Sequence, residues 1–167
     1  FGNFRSLLYA ITTSTAMGSY LTYIGSRKGD GTGRQPDENY ARELLQLFTI
    51  GLVNLNMDGS VVRDGNGKAV ETYTQNDISQ LARVFTGFGL SSTDTSTTDI
   101  VRQPMIMASR FNDTASIEFL GGTVSGGGLN AINAALDIIF AHPNVPVFIS
   151  RQLIQRLVTS NPSPAYI

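Results

Sequence analysis

The feature that most constrains this fold is residues 37–51, which form one amphipathic pattern with a clear start and stop. Pro36 suits an entry turn, and Asp37 is a favourable N-cap. Gly51 stands where a left-handed residue commonly ends a helix. Between them, apolar residues repeat at helical spacing: Tyr40, Ala41, Leu44, Leu45, Leu47 and Phe48. The pattern therefore predicts a helix that is buried over most of its circumference.

Few polar side chains interrupt this helix, and they make up the candidate polar cluster. Asn39, Arg42 and Glu43 lie on its polar strip, and Arg83 lies on a later predicted helix. Glu38 precedes Arg42 in the order that favours a helical ion pair. In a structural interpretation, Arg42 and Glu43 are mostly buried and link this helix to its neighbours, because buried charges persist when they are paired. The functional interpretation is an active-site or ligand-binding cluster.

The arginines extend the structural interpretation to the rest of the chain. Those on predicted amphipathic helices are Arg42, Arg83, Arg151 and Arg156. The candidate carboxylate partners are Glu43, Asp77 and Asp137. Because a guanidinium group can pair bidentately with a carboxylate, this composition predicts an arginine–carboxylate network between packed helices. The functional alternative is an anion-binding cluster.

The remaining periodicity predicts a mainly α fold, an irregular multi-helix bundle with two small β-hairpin insertions. Further helices are expected at 4–11 and 17–24, after a capping box of Thr74 and Asp77, and on either side of His142-Pro143-Asn144. The hairpins are expected to pair 60–63 with 69–73, and 105–111 with 116–120.

The chain reads as a single helical domain over residues 1–167, or as a fragment of a larger domain. Runs of glycine, serine, threonine and aspartate predict flexible loops at 25–36, 91–103 and 121–128.

Composition excludes several kinds of site. The chain has no cysteine, so it offers no disulfide, thiolate metal ligand or cysteine nucleophile. Its formal net charge is −1, which supplies no basic excess for a phosphate backbone, so we expect no nucleic-acid partner. No apolar run approaches the ~20 residues that a membrane span requires. The glycine clusters lack the spacing of a phosphate-binding or dinucleotide-binding loop, and we expect no cofactor.

Two motifs carry weaker chemical signals. His142 is the only histidine and precedes Pro143 at a predicted helix end, where it favours the negative end of the helix dipole rather than catalysis. Residues 54–60 resemble the first half of a calcium-binding loop. The oxygen-bearing side chains at alternate positions are Asn54, Asn56, Asp58 and Ser60. The twelfth position of such a loop needs a bidentate acid and is Gly65 here, so a plain turn is favoured over a calcium site.

Several blocks of the chain together resemble one known family. The blocks are residues 37–51, 73–77 with 81–88, 135–143 and 148–158. In this order they resemble the middle-to-C-terminal portion of a bacterial family known as domain of unknown function 1800. Phe88 stands where that family usually has Trp, and Asn112-Asp113 stands where it often has His-Asp. The resemblance implies a piece of a larger extracytoplasmic protein and implies no established activity.

Two functions from different classes follow. The first is a helical module of an extracytoplasmic bacterial protein (periplasmic, secreted or cell-surface) with a structural or partner-binding role. Its partner would be another protein or the remainder of its own parent chain. The second is a fragment of an enzyme whose main catalytic groups lie upstream of residue 1. The two functions predict different positions for the candidate polar cluster. An enzyme fragment predicts that Asn39, Arg42, Glu43 and Arg83 converge on an open cleft, and a structural module predicts that they are buried between packed helices.

Overall fold

A computed structural model describes residues 2–92, 96 and 98–167. Over these residues the α-helices are α1 Phe4–Thr12, α2 Thr15–Tyr20, α3 Asn39–Glu43, α4 Gln75–Val84, α5 Gly128–Phe140 and α6 Asn144–Leu157. A π-helical segment, Leu44–Thr49, continues α3, and a 3₁₀ helix spans Thr98–Val101. The strands are β1 Phe88–Gly89, β2 Ile106–Met107, β3 Ile117–Phe119 and β4 Gly122–Val124.

The prediction of a mainly α bundle is wrong. The structure is 41% helical and 11% strand, with two small antiparallel sheets, so it is a mixed fold. The sheets pair β1 with β2 and β3 with β4. Single β-bridges add further pairing between Val53 and Glu71, between Leu55 and Val61, and between Arg63 and Ala69. These strands are too short for a period-two pattern to show in the sequence, so the helical period dominated the prediction.

The second predicted hairpin pairs the wrong segments. Segment 105–111 supplies β2, which pairs with β1, whereas segment 116–120 supplies β3, which pairs with β4. The link between β3 and β4 is a two-residue turn in which Leu120 has φ 48° and Gly121 has φ 74°. Positive φ at both central residues is the geometry that joins antiparallel strands most tightly. Strand β4 therefore lies inside the segment 121–128 that the sequence predicts to be a flexible loop.

The first predicted hairpin is present and carries a third segment. Its two arms meet at the bridge between Arg63 and Ala69, and residues 53–55 then pair with both arms. The N–H of Val62 donates to the carbonyl of Asn54 at 2.8 Å. The flexibility of 25–36 and 91–103 stays a prediction, and residues 93–95 and 97 lie outside the described residues.

An aromatic cluster forms the centre of the core. The rings of Tyr23 and Tyr40 stack at 4.3 Å, and Phe85 meets Tyr40 edge-on at 4.9 Å. Both tyrosine hydroxyls are satisfied at Thr12, by its backbone carbonyl (2.7 Å) and its side chain (2.6 Å) respectively. Burial raises the pKa of both tyrosines above the ordinary value. Phe88 packs against Tyr23 at 5.9 Å and so occupies the core where the resembled family has Trp.

The helix predicted at residues 37–51, the signature helix, is formed by α3 and the π-helical segment, and the π-helical segment changes which of its residues are buried. The N–H of Ile50 donates to the carbonyl of Leu45 at 3.0 Å, a bond between residues five apart. The hydroxyl of Thr49 donates to the carbonyl of Leu44 at 2.5 Å, over the same spacing. These four residues are all fully buried. Leu47 falls between them and is 51% exposed, so the prediction that it is buried is wrong.

The helix ends at the glycine that the sequence predicts. Gly51 has φ +71°, the left-handed conformation predicted for the residue that ends it. The ring of Phe148 on α6 lies against this glycine, so a Cβ at position 51 would be 2.5 Å from the ring. The signature helix and α6 therefore approach closely at a point where no side chain fits.

Candidate functional site

Glu38 accepts more side-chain hydrogen bonds than any other residue of the signature helix. Arg42 donates to its Oε2 at 2.9 Å, Gln75 donates to the same oxygen at 2.8 Å, and Ser79 donates to Oε1 at 2.6 Å. The predicted ion pair between Glu38 and Arg42 is confirmed. The Arg42 side chain is 38% exposed, so it is half-buried rather than sealed in the core. This group links α3 to the first turns of α4.

Arg83 reaches a different carboxylate from those proposed on sequence. Its Nε donates to Oδ2 of Asp113 at 2.7 Å, and its Nη1 donates to Oε1 of Gln80 at 2.6 Å. Burial raises the pKa of Asp113, but the hydrogen bonds from Arg83 and Ala115 and the nearby charge of Lys28 outweigh it. The pKa of this carboxyl therefore lies below its ordinary value.

Glu38 and Arg83 line one polar cleft. The cleft has a volume of about 390 Å³ and lies between the loop after α2, the exposed side of α4 and the loop that carries Asp113. Its lining residues are Gly29, Gln35, Pro36, Glu38, Ser79, Gln80, Arg83 and Asp113. Of the predicted cluster, only Arg83 lines this cleft, and Arg42 reaches it through Glu38. The cleft can bind a small polar molecule, because a guanidinium group supplies positively charged donors and two carboxylates supply negatively charged acceptors.

Asn39 and Glu43 do not join this cleft. The exposed Asn39 donates from its side chain to the hydroxyl of Thr22 at 2.8 Å. Oε2 of Glu43 is buried and has no hydrogen-bond partner among the residues that the structure describes. Its charge acts on Tyr73, whose pKa is raised by burial and by Glu43 and lowered in part by Arg42. The predicted cluster is therefore divided between three environments.

The other predicted arginine and carboxylate partners meet only in part. Arg151 donates to the carbonyl of Gly59 at 2.9 Å, and Asp137 pairs instead with Arg5 at 2.8 Å. Asp77 forms the predicted capping box with Thr74 and also accepts from the N–H of Leu120 at 2.8 Å. Arg156 forms no ion pair with the residues described here. The arginines thus form separate local contacts rather than one network.

The calcium-loop residues bond to one another in a tight turn. Asn56 donates from its side-chain amide to Oγ of Ser60 at 3.0 Å. The hydroxyl and N–H of Ser60 both donate to Oδ1 of Asp58, at 2.6 and 2.9 Å, and these bonds lower the pKa of Asp58. Asn54 donates to the carbonyl of Glu71 at 3.0 Å, away from the turn. Within the described residues, no group of three or more histidines or acids is placed to hold a metal ion. The preference for a plain turn over a calcium site stays a prediction.

His142 caps the helix that follows it. Its Nδ1 accepts a hydrogen bond from the N–H of Asn144 at 3.1 Å, at the start of α6, and burial lowers its pKa. Sequence reasoning missed Asn144 itself. This buried side chain donates to the carbonyls of Ile50 (2.6 Å) and Val53 (3.0 Å) and accepts from the N–H of Leu55 at 2.7 Å. The sequence did contain a sign of this role. An asparagine at the start of a predicted helix favours side-chain hydrogen bonds to nearby backbone groups.

A second surface of the molecule is apolar, and we call it the apolar face. It consists of two shallow grooves of about 330 and 290 Å³. Both grooves are lined by Leu47 and Gln152, and the side-chain amide of Gln152 donates to the carbonyl of Leu47 at 3.2 Å. Leu52 and Leu153 lie on opposite sides of this pair and are 56% and 54% exposed. Three large apolar side chains thus reach solvent on one continuous surface.

In the described part of the chain, no single helix is both long and apolar enough to cross a membrane. Helices α5 and α6 meet the length and composition requirement only when taken together, and they are bent by 79° at the break between them.

Comparison with known proteins returns one result. A family model described as protein of unknown function (DUF1800) matches residues 1–167. The chain belongs to this family. A search of curated proteins and a search of solved structures found no match.

Proposed function

We propose that this member of the DUF1800 family is a structural, partner-binding module that holds a helix of another protein against its apolar face. The observation that carries the proposal is Leu47, a large apolar residue that the π-helical segment places at the surface between two grooves. Single-turn π-helical segments occur frequently at functional sites. The polar bonds around Glu38 are satisfied within the chain, whereas Leu47, Leu52 and Leu153 of the apolar face are exposed to solvent.

The shape of the apolar face suits an amphipathic helix. Such a helix inserts apolar side chains spaced three, four and seven residues apart into a groove. The grooves on the two sides of Leu47 would receive successive turns, and Leu153 would extend the contact along α6. Exposed apolar surfaces bordered by polar groups commonly mark interaction sites.

Charge favours an acidic partner. Arg151 lines one groove, and Arg156 is exposed near the C-terminal end of α6. Among the residues that the structure describes, no aspartate or glutamate lines either groove. A partner helix with acidic residues beside its apolar stripe would match this charge, and complementary charges raise the association rate and the specificity.

The test is binding of two synthetic helical peptides to this chain. Both have roughly 18 residues and leucines at groove-binding spacing; one carries glutamates beside the stripe and the other carries lysines. We expect the glutamate peptide to bind more tightly, as measured by fluorescence anisotropy. Leu47→Gln should weaken binding about tenfold, because burying a leucine contributes roughly 1.5–3 kcal/mol.

The matched control is Ile106→Gln, because Ile106 is similarly exposed (54%) and lines neither groove. This variant should bind the glutamate peptide as the parent chain does. Equal binding of both peptides would remove the charge argument. Concentration-dependent self-association lost in Leu47→Gln would instead make a second copy the occupant.

Bacterial origin, an extracytoplasmic location and a place within a larger parent protein are part of the same proposal, and the family resemblance supports them. Fractionation of cells that express the parent protein, with marker proteins for each compartment, tests the location. Recovery with cytoplasmic markers alone would contradict it.

A second candidate is part of an enzyme whose main catalytic groups precede residue 1. The polar cleft favours it, because Arg83 and Asp113 stand there beside Glu38. In the full parent protein, Arg83→Gln should then abolish turnover in a chain that still unfolds cooperatively, although loss of the pair with Asp113 lowers its melting temperature. Arg151→Gln, outside the cleft, is the control.

A further inference from the structure

The polar cleft brings charged side chains that are only partly exposed around one space. The side chains of Glu38, Arg83 and Asp113 are 31%, 24% and 16% exposed, and all three line the same volume of about 390 Å³. This volume lies within the range of small-molecule sites, about 300–1,000 Å³. Such sites are usually lined by apolar groups, whereas polar and charged residues predominate here. A molecule that fills the cleft must therefore form hydrogen bonds over most of its surface.

The loop that forms one wall of the cleft is fixed by hydrogen bonds within the chain. The N–H of Asp113 donates to the hydroxyl of Thr86 at 2.9 Å, and its Oδ1 accepts from the N–H of Ala115 at 3.0 Å. The preceding residue, Asn112, is 1% exposed; its side chain donates to the carbonyl of Thr86 at 2.8 Å and accepts from the N–H of Gly128 at 2.7 Å. The wall is thus in place before a ligand arrives, which lowers the entropy cost of binding.

The charges that line the cleft are already paired within the chain. Glu38 pairs with Arg42 at 2.9 Å, and Asp113 pairs with Arg83 at 2.7 Å. A charged ligand would meet a group of like charge close to each group of opposite charge, and it would compete with pairs that are costly to break when they are partly buried. A neutral ligand leaves both pairs intact. The electrostatics of the cleft therefore favour a neutral ligand.

The paired groups keep capacity for further hydrogen bonds. A carboxylate has about four acceptor positions, and a guanidinium group has five N–H donors. Among the described residues, each oxygen of Asp113 accepts one bond, and Oε1 of Glu38 accepts only from Ser79. Nη2 of Arg83 makes one long contact, of 3.5 Å, with the carbonyl of Ser116. A hydroxyl group both donates and accepts, so neighbouring hydroxyls suit this mixture of donors and acceptors.

We propose that the polar cleft binds a neutral polyhydroxyl molecule, a monosaccharide or a cyclic polyol. Hydroxyls of such a molecule would donate to Asp113 and Glu38 and accept from Arg83, and the planar amides of Gln35 and Gln80 add donors and acceptors to the lining. The site is separate from the partner-binding role, because the cleft shares no lining residue with either groove of the apolar face. It would also supply a substrate class for the enzyme fragment, but it requires binding alone.

The first test is calorimetric titration of the chain with D-glucose and with myo-inositol, two neutral ring polyols. We expect saturable binding at millimolar concentrations, the affinity that a few hydrogen bonds supply, and no weakening by added salt. D-glucosamine and D-glucuronate keep the sugar ring and carry one positive or one negative charge. Neither should bind more tightly than D-glucose, because the charges of the cleft are already paired.

The second test uses variants that leave the ion pairs in place. Gln35→Ala removes an exposed amide of the lining and should weaken binding of D-glucose about fivefold, the effect of losing one neutral hydrogen bond. Gln80→Glu keeps the acceptor for Arg83 but removes two N–H donors, and should weaken binding by at least as much. The control is Gln103→Ala, because Gln103 is an exposed glutamine outside the cleft. Unchanged melting temperatures show that the variants remain folded.

Binding of a neutral polyol that both cleft variants weaken and Gln103→Ala does not would support the site. The proposal is overturned if neither neutral polyol binds, or if Gln103→Ala weakens binding equally. Binding of D-glucosamine about tenfold tighter than D-glucose, strengthened further in Gln80→Glu, would show that charge selects the ligand and would overturn it too. Leu47→Gln should leave polyol binding unchanged, so failure of the polyol site and failure of the apolar face are separate results.

Discussion

Helix α4 and the signature helix pack side by side but differ in how closely they follow the helix that the sequence predicts. Helix α4 begins with the predicted capping box and stays α-helical to its end. Its residues Ile78, Leu81 and Ala82 are buried, as is Phe85 at its C-cap. The signature helix begins with Glu38 at its N-cap, where Asp37 was predicted, and Glu38 makes no side-chain capping bond. It then changes to π-helical hydrogen bonding and exposes Leu47. Helix α4 stabilises the fold. The signature helix departs from regular α-helical hydrogen bonding at the place where the chain presents its apolar face, and such departures are expected at functional sites.

The largest test of this comparison is a pair of leucine truncations. Leu81 on α4 is fully buried, so Leu81→Ala should lower the free energy of unfolding by about 2–5 kcal/mol. Leu47→Ala should lower it by less than about 1 kcal/mol, because this side chain is half exposed. Urea unfolding measures both. Equal losses would place Leu47 in the core and contradict the π-helical register.

The next test concerns which glutamate of the signature helix stabilises it. Glu38→Ala removes the acceptor for Arg42, Gln75 and Ser79, and should cost about 1–3 kcal/mol. Glu43→Ala should cost less than about 1 kcal/mol, because its buried oxygen has no partner among the described residues. Exposed Glu118→Ala is the control. Thermal unfolding decides, and a larger loss for Glu43→Ala would restore the sequence-based interpretation.

The start of α4 should show a smaller effect. Thr74→Ala removes the side-chain half of the capping box and should cost about 1 kcal/mol, with faster hydrogen exchange in the first turn of α4. Thr74→Ser keeps the hydroxyl and should restore most of the loss. Exchange that is unchanged in Thr74→Ala would show that packing alone fixes where α4 begins.

The smallest effect is on pH dependence. Burial raises the pKa of Asp77, but hydrogen bonds from Thr74 and Leu120 outweigh it and hold the pKa below its ordinary value. Because the folded pKa lies below the unfolded value of about 3.9, this stabilisation is present at neutral pH and is lost as pH falls through the folded pKa. Asp77→Asn should be less stable than the parent chain at pH 7, and the difference should shrink on acidification. A difference independent of pH would contradict this linkage.

The sequence predicts those features that depend on neighbouring residues. The capping box of Thr74 and Asp77, the pair of Glu38 with Arg42 and the left-handed Gly51 are all local, and the structure confirms them. The partner of Arg83 could not be predicted, because Asp113 lies on a distant loop that only tertiary folding brings close.

The π-helical register belongs to the same class of unpredictable features. The helical period of residues 37–51 fits an ordinary α-helix. The π-helical segment contacts α6, which is distant in sequence, through Gln152 on Leu47 and Phe148 on Gly51. Asn144 at the start of α6 donates to the carbonyl of Ile50, which ends the segment and lies 94 positions away in the chain. The pairing of β3 with β4 likewise depended on a turn at Leu120 that its residue type disfavours.

The π-helical turn also bears on how such a surface could arise. A π-helical hydrogen bond joins residues five apart, whereas an α-helical hydrogen bond joins residues four apart, so a π-helical turn contains one additional residue. Deleting a single residue, such as Gln46, would bring Leu45 and Ile50 to α-helical spacing and leave the core sequence otherwise intact. Presentation of the apolar face therefore corresponds to the gain or loss of one codon. A lineage could acquire or abandon it in one mutational step.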